Sequence, residues 1–413
     1  MKIQRTIPPT AAPLSWKDLW RGLVGIFSGE RAIRRFEGEL KIYYKVDHVF
    51  LVSSGKAALT LILKALQSLS HRREVLIPAY TCFSVPSAIL KARLKVALCD
   101  IEILTFDFDK KLFEEAVNDQ TLCVIPSHLF GVPSDMNRIN SLCRKQGVFV
   151  VEDAAQAMGG TYKGEKLGTI GDVGFFSLGR GKNITCGSGG LVVTNSVPIA
   201  EALSRIYADL KYPSVLQTLR EFGELVAMKI LISPILYWLP SGIPFLRLGE
   251  TLFYEDFPMK RLSNMKAGVL WNWENHLAAS NTTRAATAAY YCEQLGLDDS
   301  GRKCLPYLRF PITLASREER DTVFTISQEQ GTGVSQMYPS PINEIPRIRA
   351  TFNSKKFPAA KKLSDTLVTI PTHSLLSGKD KVGLLSLFEG ISLVPVRAER
   401  APQVDSCTES LNR

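Results

Sequence analysis

The stretch VEDAAQAMGGTYKGEKLGTIGDVGFFSLGRGKNITCGSGGLVVTN (151–195) decides how this 413-residue chain is read. It places an acid, an amide, a hydroxyl and a lysine at the ends of successive apolar runs. Asp153 closes the run GVFVVEDAAQA (147–157), so its carboxylate is expected to be partly desolvated and to need a cationic partner to stay charged. A protonated pyridine nitrogen would serve. Gln156 lies in the same turn, where it can rest against a flat ring, and Ser177 closes VGFFSL (173–178) with a hydroxyl for a phosphate. Lys182 follows in a loop flanked by Gly179, Gly181, Gly187, Gly189 and Gly190, where the backbone can bend close to a ligand. A lysine near an aldehyde forms a Schiff base, and once released it moves a proton between adjacent carbons. Any one of the four is ordinary strand-end decoration; together they are what pyridoxal phosphate requires.

Working outward, short β-rich runs alternate with helical stretches, the signature of a mostly parallel sheet with helices on its faces. VFLVSS (49–54), EVLIPAY (74–80), LKVALCD (94–100), TLCVIPSHLFG (121–131) and GGLVVTN (189–195) complete the strand set. In such sheets ligands collect outside the carboxyl ends of the strands. VFLVSS runs straight into GKAALTLIL, so Gly55 and Lys56 offer amides at a helix N-terminus, where anions bind, and Ser54 can cap that helix.

The expected organisation is an amphipathic N-terminal segment (1–30), a large cofactor domain (31–279) with an apolar insertion at about 208–262, a smaller α+β domain (280–396), and a disordered tail (397–413). At roughly 150 residues per domain the length allows two or three domains. Hydrophobic residues at 45% and charged residues at 22% exclude wholesale disorder and coiled coil. The net charge of +10 suits anionic partners, but lysines and arginines are spread rather than interleaved with aromatics, which argues against nucleic acid. Eight single cysteines without metal-ligand spacing read as reduced thiols of a cytoplasmic protein, and no metal site is expected. WKDLWRGLVGIF (16–27) is amphipathic, and ILISPILYWLPSGIPFL (230–246) is uncharged but broken by Pro234, Pro240 and Pro244. Packing on the protein itself or on a partner subunit is the leading expectation for both, with peripheral membrane contact as its rival.

The motifs FEGELKIYYKVDHVFLVSSGKAALTL, IPAYTCFSVPSAIL, PSHLFGVPSDMNRINSLCRKQGVFVVEDAAQA, FFSLGRGKNITCGSGGLVVTN, and MYPSP followed by LVTIPTH resemble, in order and spacing, the DegT/StrS-type sugar aminotransferases. These are fold type I pyridoxal-phosphate enzymes, and the resemblance covers roughly residues 30 to 395. It implies that Asp153 pairs with the pyridine nitrogen, Gln156 lies against the ring, Ser177 holds phosphate and Lys182 carries the cofactor. It further implies a homodimer with shared active sites, in which Asn264 of LSNMKAGVL (262–270) reaches the partner's phosphate. The expected reaction moves an amino group from an amino acid, most often glutamate, to a keto sugar, most often nucleotide-linked, for glycan or metabolite assembly.

The chain departs from the family pattern at three places. Lys56 replaces a small hydroxyl residue after Gly55. Cys82 replaces the aromatic that covers the second face of the ring, with Phe83 next to it as the candidate substitute. Ser188 stands where a carboxylate is usual. His128 in PSHLFG is a candidate contact to cofactor or substrate, and Tyr338 in MYPSP a candidate for the sugar pocket. Lys182 favours transamination over dehydration. The rival functions are a non-catalytic regulatory protein on the same fold and a membrane-associated scaffold for glycan assembly.

Overall fold

The computed structural model describes residues 3–243, 251–297, 305–391 and 393–394. The expected tail and Cys304 and Cys407 lie outside these residues, as do residues 244–250 of the apolar segment and its flank. The six described cysteines are free thiols.

The chain opens with α1 (Trp16–Phe27) and α2 (Arg31–Tyr44), then enters the first strand, β1 (His48–Val52), and α3 (Gly55–Leu69). Alternation continues through β2 (Glu74–Pro78), α4 (Ser84–Lys91), β3 (Lys95–Cys99), α5 (Lys110–Ala116), β4 (Thr121–Val124), α6 (Met136–Gln146) and β5 (Phe149–Asp153). A small hairpin, β6 (Thr161–Tyr162) and β7 (Glu165–Lys166), precedes β8 (Val173–Ser177), β9 (Gly190–Thr194) and α7 (Val197–Ala208). The seven-stranded sheet has the order β1-β9-β8-β5-β4-β2-β3. β9 runs against both neighbours while the remaining pairs are parallel, so six strands point the same way. β4 and β9 are buried along their whole length, as the continuous apolar runs require of strands covered on both faces. α3 is buried on nearly every side, so its sequence is apolar all round rather than striped.

After α7 come α8 (Val215–Leu231) and the short α9 (Trp238–Ser241); α10 (Asn264–Val269) and the long α11 (Trp273–Gln294) follow. The small domain is a three-stranded antiparallel sheet, β11-β10-β12, built from β10 (Phe310–Leu314), β11 (Leu367–Ile370) and β12 (Leu393–Val394), with α12 (Arg317–Gln330), α13 (Pro358–Thr366) and α14 (Gly378–Leu385). A single apolar cluster runs from α3 and the central strands through Phe83 and Phe130 to Tyr307, Phe310 and Tyr338, so the two domains share a core.

Two N-terminal features bear on the site. Residues 5–11 form a strap: Arg5 makes a bidentate pair with Asp380 at 2.9 and 2.7 Å, the Pro8 carbonyl accepts from His373 at 2.8 Å, and the Thr10 hydroxyl donates to the Gly181 carbonyl at 2.8 Å. The strap thereby ties the Lys182 loop to the small domain. α1, capped by a reciprocal Ser15–Asp18 pair, lays Leu19, Gly22 and Gly25 on α10. A Cβ on Gly25 would sit 2.6 Å from the Asn264 carbonyl oxygen, and one on Gly268 would sit 2.5 Å from the Arg21 carbonyl, so the two helices meet backbone to backbone. The opposite face of α1 exposes Trp16, Trp20, Val24 and Phe27, and α8 with its following turn exposes Val215, Leu216, Leu219, Ile230 and Ile235. Among the described residues no helix is long and apolar enough to cross a membrane.

Gly25→Val should therefore lower the unfolding free energy by about 1–3 kcal/mol, because backbone cannot yield to the new methyls. A shifted urea midpoint at unchanged slope reads it. Gly38→Ala on α2, where a Cβ meets nothing, is the control and should be neutral or mildly stabilising.

Candidate active site

The carboxyl ends of β1, β5 and β8 lie on one edge of the sheet and bring Ser54, Asp153 and Ser177 together. Ser54 caps α3, accepting from the Ala57 amide at 3.1 Å, which leaves the amides of Gly55 and Lys56 facing outward with no acceptor among the described residues. Ser177 closes on that same turn: a Cβ on Gly55 would stand 3.3 Å from the Ser177 Oγ, and on Gly190 2.4 Å from the Ser54 carbonyl. Backbone at that distance makes glycine necessary at position 190, and the fit at Gly55 is tight. Two unpaired amides and a hydroxyl therefore converge on one point at the positive end of a 15-residue helix.

Asp153 is 7% exposed, and its Oδ1 accepts from the Ala155 amide at 3.1 Å. Among the described residues no cationic side chain hydrogen-bonds it. Burial pushes its carboxyl above the ordinary range, opposed by the Ala155 amide and by the charge of Lys182. Lys182 is partly accessible; burial lowers its ammonium, with Arg309 adding to the effect and Cys82 and Asp153 opposing it. Asp153 and Lys182 thus act on each other across a shared space. The lysine's loop is fixed by Thr10 on Gly181, whose φ is +71°, and by Asn183 donating to Asn281 at 3.0 Å.

Gln156 is held at both ends. Its Oε1 accepts from the Phe130 amide at 3.3 Å and its Nε2 donates to the Tyr338 hydroxyl at 2.9 Å. Phe130 and Met337, the residue before Tyr338, adopt positive φ of 61° and 57°, a strained backbone for such side chains that sits on both sides of the glutamine. Tyr338 is buried between Tyr80 and Phe83, with ring centroids 5.3 and 6.4 Å away. Its observed role is to join the domains at Gln156.

Several expected contacts fall elsewhere. His128 is fully buried; its Nε2 donates to Glu152 at 2.9 Å and its Nδ1 accepts from the Ser134 amide at 3.2 Å. No ring nitrogen is left for cofactor or substrate, so the expected contact gives way to a structural role. The reason is strand alternation: Glu152, beside Asp153, faces away and also collects the amides of Gly168, Ile170 and Gly171. Phe83 is buried against Tyr338, whereas Cys82 is partly accessible and lies within electrostatic range of Lys182, Lys56 and Tyr338. The Lys56 ammonium points neither at the phosphate-sized gap nor to open solvent. It sits 4.0 Å from the Tyr254 ring centroid and 4.7 Å from that of Phe257, and burial lowers its pKa. Asn264 begins α10, but Ser263 is the cap, and the Asn264 Oδ1 is buried without a partner among the described residues. At Ser188 the missing acid is supplied from α8: buried Lys266 meets Ser188 at 2.8 Å and Glu221 at 2.9 Å. Glu221 has no motif around it and was missed in the sequence.

A mostly parallel sheet with one reversed strand, an anion cradle at a helix N-terminus, a buried unpaired carboxylate and a lysine between the domains define the class of α/β transferases that work through a phosphorylated pyridine aldehyde. Residues 24–384 match the DegT/DnrJ/EryC1/StrS aminotransferase family, and the chain belongs to it. A UDP-N-acetyl-3-dehydro-alpha-D-glucosamine 3-aminotransferase of Acidithiobacillus ferrooxidans is 29% identical over 346 residues, 82% of each chain. A dTDP-3-amino-3,4,6-trideoxy-alpha-D-glucose transaminase of Streptomyces venezuelae is 29% identical over 323 residues, 75% of this chain and 74% of that one. Among solved structures, PseC of Helicobacter pylori, an aminotransferase of pseudoaminic acid biosynthesis, superposes with a TM-score of 0.74 at 16% identity, over 94% of this chain and all of that one.

The raised carboxyl of Asp153 sets a stability signature. A carboxyl whose folded pKa exceeds its unfolded value costs stability as pH rises past the unfolded value, about 4, because the unfolded chain ionises more readily. In cofactor-free protein Asp153→Asn should therefore melt higher than wild type near neutral pH, and the gap should close on acidification below about pH 4. Thermal melts across that range check it.

Proposed function

We propose that the chain is a pyridoxal-phosphate aminotransferase that moves an amino group from an amino acid, with glutamate the expected donor, to a nucleotide-linked keto sugar. The carrying observation is the convergence on one sheet edge of the unpaired Gly55 and Lys56 amides, the Ser177 hydroxyl, the unpaired Asp153 carboxylate and Lys182. The cofactor's groups fit this set: a phosphate satisfies the amides and hydroxyl, and a protonated ring nitrogen gives Asp153 its missing cation. When bound, pyridoxal phosphate supplies an electron sink for the carbon that exchanges its amino group.

The chain's own residues do the rest. Asp153, kept from water, holds a proton on the ring nitrogen. Gln156, locked by Phe130 and Tyr338, presents its flat amide to one ring face, and the partly accessible Cys82 borders the other. Lys182, whose burial favours the neutral amine, takes a proton from the substrate carbon and returns it one atom away. The UDP- and dTDP-linked sugars in the relatives' names support a nucleotide carrier for the acceptor. A non-catalytic regulatory role is not favoured, since both the lysine and the acid are in place.

A homodimer with shared active sites is part of this reading. Asn264 lies at the start of α10, the helix on which α1 packs, and a second copy would cover the apolar surface that α1 and α8 expose and receive the Asn264 amide at its phosphate. The expectation of membrane contact draws on the same surface, and the two readings separate by experiment.

Lys182→Ala should abolish turnover and the visible absorbance of the lysine-bound cofactor, and a fully active variant would remove this mechanism. Ser177→Ala should weaken cofactor affinity about tenfold, the worth of one charge-assisted hydrogen bond, with the fold intact by circular dichroism. Light scattering after size exclusion should give twice the chain mass, and vesicle flotation should leave the protein in the soluble fraction; a monomer that floats would reverse the assignment of the apolar surface.

A further inference from the structure

The loop that carries Lys182 joins β8 to β9. Its base is closed by the Leu178 amide on the Gly189 carbonyl at 2.8 Å, but the Lys182 amide reaches only the Gly179 carbonyl, at 3.3 Å. One helix grips this loop from outside. α8 turns Gln217, Glu221, Glu224 and Leu225, which recur at helical spacing, toward it. Leu225 is 2% exposed and packs on Gly187, where φ is +83° and a Cβ would stand 2.8 Å from the Leu225 Cδ2. Glu224 meets Arg180 at 3.4 Å, a surface pair that holds little. The firm contact is at Glu221. Its carboxylate stands 2.9 Å from the Lys266 ammonium, and that ammonium donates to the Ser188 hydroxyl at 2.8 Å. The Lys266 side chain is 3% exposed and that of Glu221 16%, so neither charge has water as a ready substitute for the other.

The contacts continue beyond the pair. The other Glu221 oxygen accepts from the Gln217 amide group at 3.0 Å, and the Gln217 oxygen accepts in turn from the Lys260 ammonium. Lys260 is fastened to Ser53: its amide donates to the Ser53 hydroxyl at 3.2 Å and its carbonyl accepts from the Ser53 amide at 2.9 Å. Ser53 immediately precedes Ser54, the cap at the anion cradle. A chain of polar contacts therefore runs from the loop that carries Lys182, through α10 and α8, to the strand end that carries the cradle. Glu221 is its middle link and its single acid. Without that carboxylate the enclosed Lys266 ammonium must find another partner or leave, and Ser188 loses its anchor either way.

Resting on the aminotransferase reading, we propose that Glu221 is a positioning residue for Lys182: through Lys266 and Ser188 it holds the lysine's loop at a fixed spacing from the Ser54–Gly55 cradle. A cofactor anchored by its phosphate at one end and by the lysine at the other needs that spacing constant. A proton carried between adjacent carbons tolerates little error in it. The pair is accounted for by what it fixes rather than by the stability it adds, since apolar side chains of similar size could fill the same space at no greater cost. Placing the acid on α8 instead of in the loop makes the helix part of the lysine's support. Ser188 keeps only the hydroxyl that Lys266 needs to reach the loop.

The test compares wild type with three variants. Glu221→Gln removes the charge; Glu221→Gln with Ser188→Asp returns an acid to the loop beside Lys266; Glu221→Leu with Lys266→Met replaces the pair by apolar side chains and carries the same readouts should the unpaired lysine prevent folding. The first readout is amide exchange of cofactor-free protein, followed by mass spectrometry on the peptide spanning 178–189. Glu221→Gln and the apolar variant should exchange there about tenfold faster than wild type while β4 and β5 are unchanged, and Ser188→Asp should recover the protection. The second readout is single-turnover bleaching of the holoenzyme by L-glutamate or L-glutamine. At saturating amino acid the rate constant should fall about 10- to 100-fold in Glu221→Gln and in the apolar variant, and Ser188→Asp should bring it back to within about threefold of wild type. The half-saturating concentration should stay within about threefold throughout, because the lysine acts after the donor has bound. A residue that merely supports the fold lowers the amplitude of bleaching, since fewer molecules are competent, and leaves the rate constant alone. A wild-type rate constant in Glu221→Gln overturns the proposal, and so does a deficit that Ser188→Asp leaves in place. Wild-type protein that lacks the lysine-bound absorbance, or is bleached by neither amino acid, refutes the aminotransferase reading instead, and loop exchange still decides whether Glu221 fixes the lysine's loop.

Discussion

A carboxylate closed inside the protein with no cation of its own is the constraint around which the rest of the structure is arranged. Asp153 sits at the carboxyl end of a strand in the middle of a seven-stranded sheet, where water cannot stabilise its charge. The charge that most offsets its burial is that of Lys182, itself enclosed enough that the neutral amine is favoured. Neither group is at ease alone. A ring that offered a proton to one and an aldehyde to the other would settle both. The cost of burying unmatched groups is met by the contacts that bind the two domains into one core.

The same logic explains why so much of the chain outside the sheet is devoted to holding loops still. The N-terminal strap reaches from Asp380 to Gly181 and so links the small domain to the lysine's loop. Gln156 is pinned by groups from both domains, and Lys266 gathers the loop after Lys182, α8 and α10 onto one buried ammonium. Relative movement of the domains would therefore be felt at once by Lys182 and the Gln156 amide. The glycine contact between α1 and α10 extends this fixed frame to the helix that carries Asn264.

Much of this was legible in the sequence because it is written in local pattern. Apolar runs ending in Asp153 and Ser177 announce parallel strands and the edge where a ligand sits, and the glycines around Lys182 announce a loop that must approach something closely. What could not be read depends on pairings far apart in the chain. His128 looked like a cofactor contact because it follows a strand; its fate was decided by Glu152, which side-chain alternation turns to the opposite face from Asp153. The backbone amide of Lys56 was legible as part of the anion cradle, but where its ammonium goes was not, because Tyr254 and Phe257, which supply aromatic faces for it, lie about two hundred residues on. Glu221 replaces an acid missing from the loop at Ser188, and nothing near Glu221 in sequence hints at that.

The most direct check on the central claim is covalent. Borohydride reduction of the protein after incubation with pyridoxal phosphate, followed by proteolysis and mass spectrometry, should leave a stable phosphopyridoxyl group on the peptide that contains Lys182, and Asp153→Ala should preserve the adduct while shifting the ring's titration. An adduct spread over surface lysines with Lys182 unmodified would contradict the account at its root.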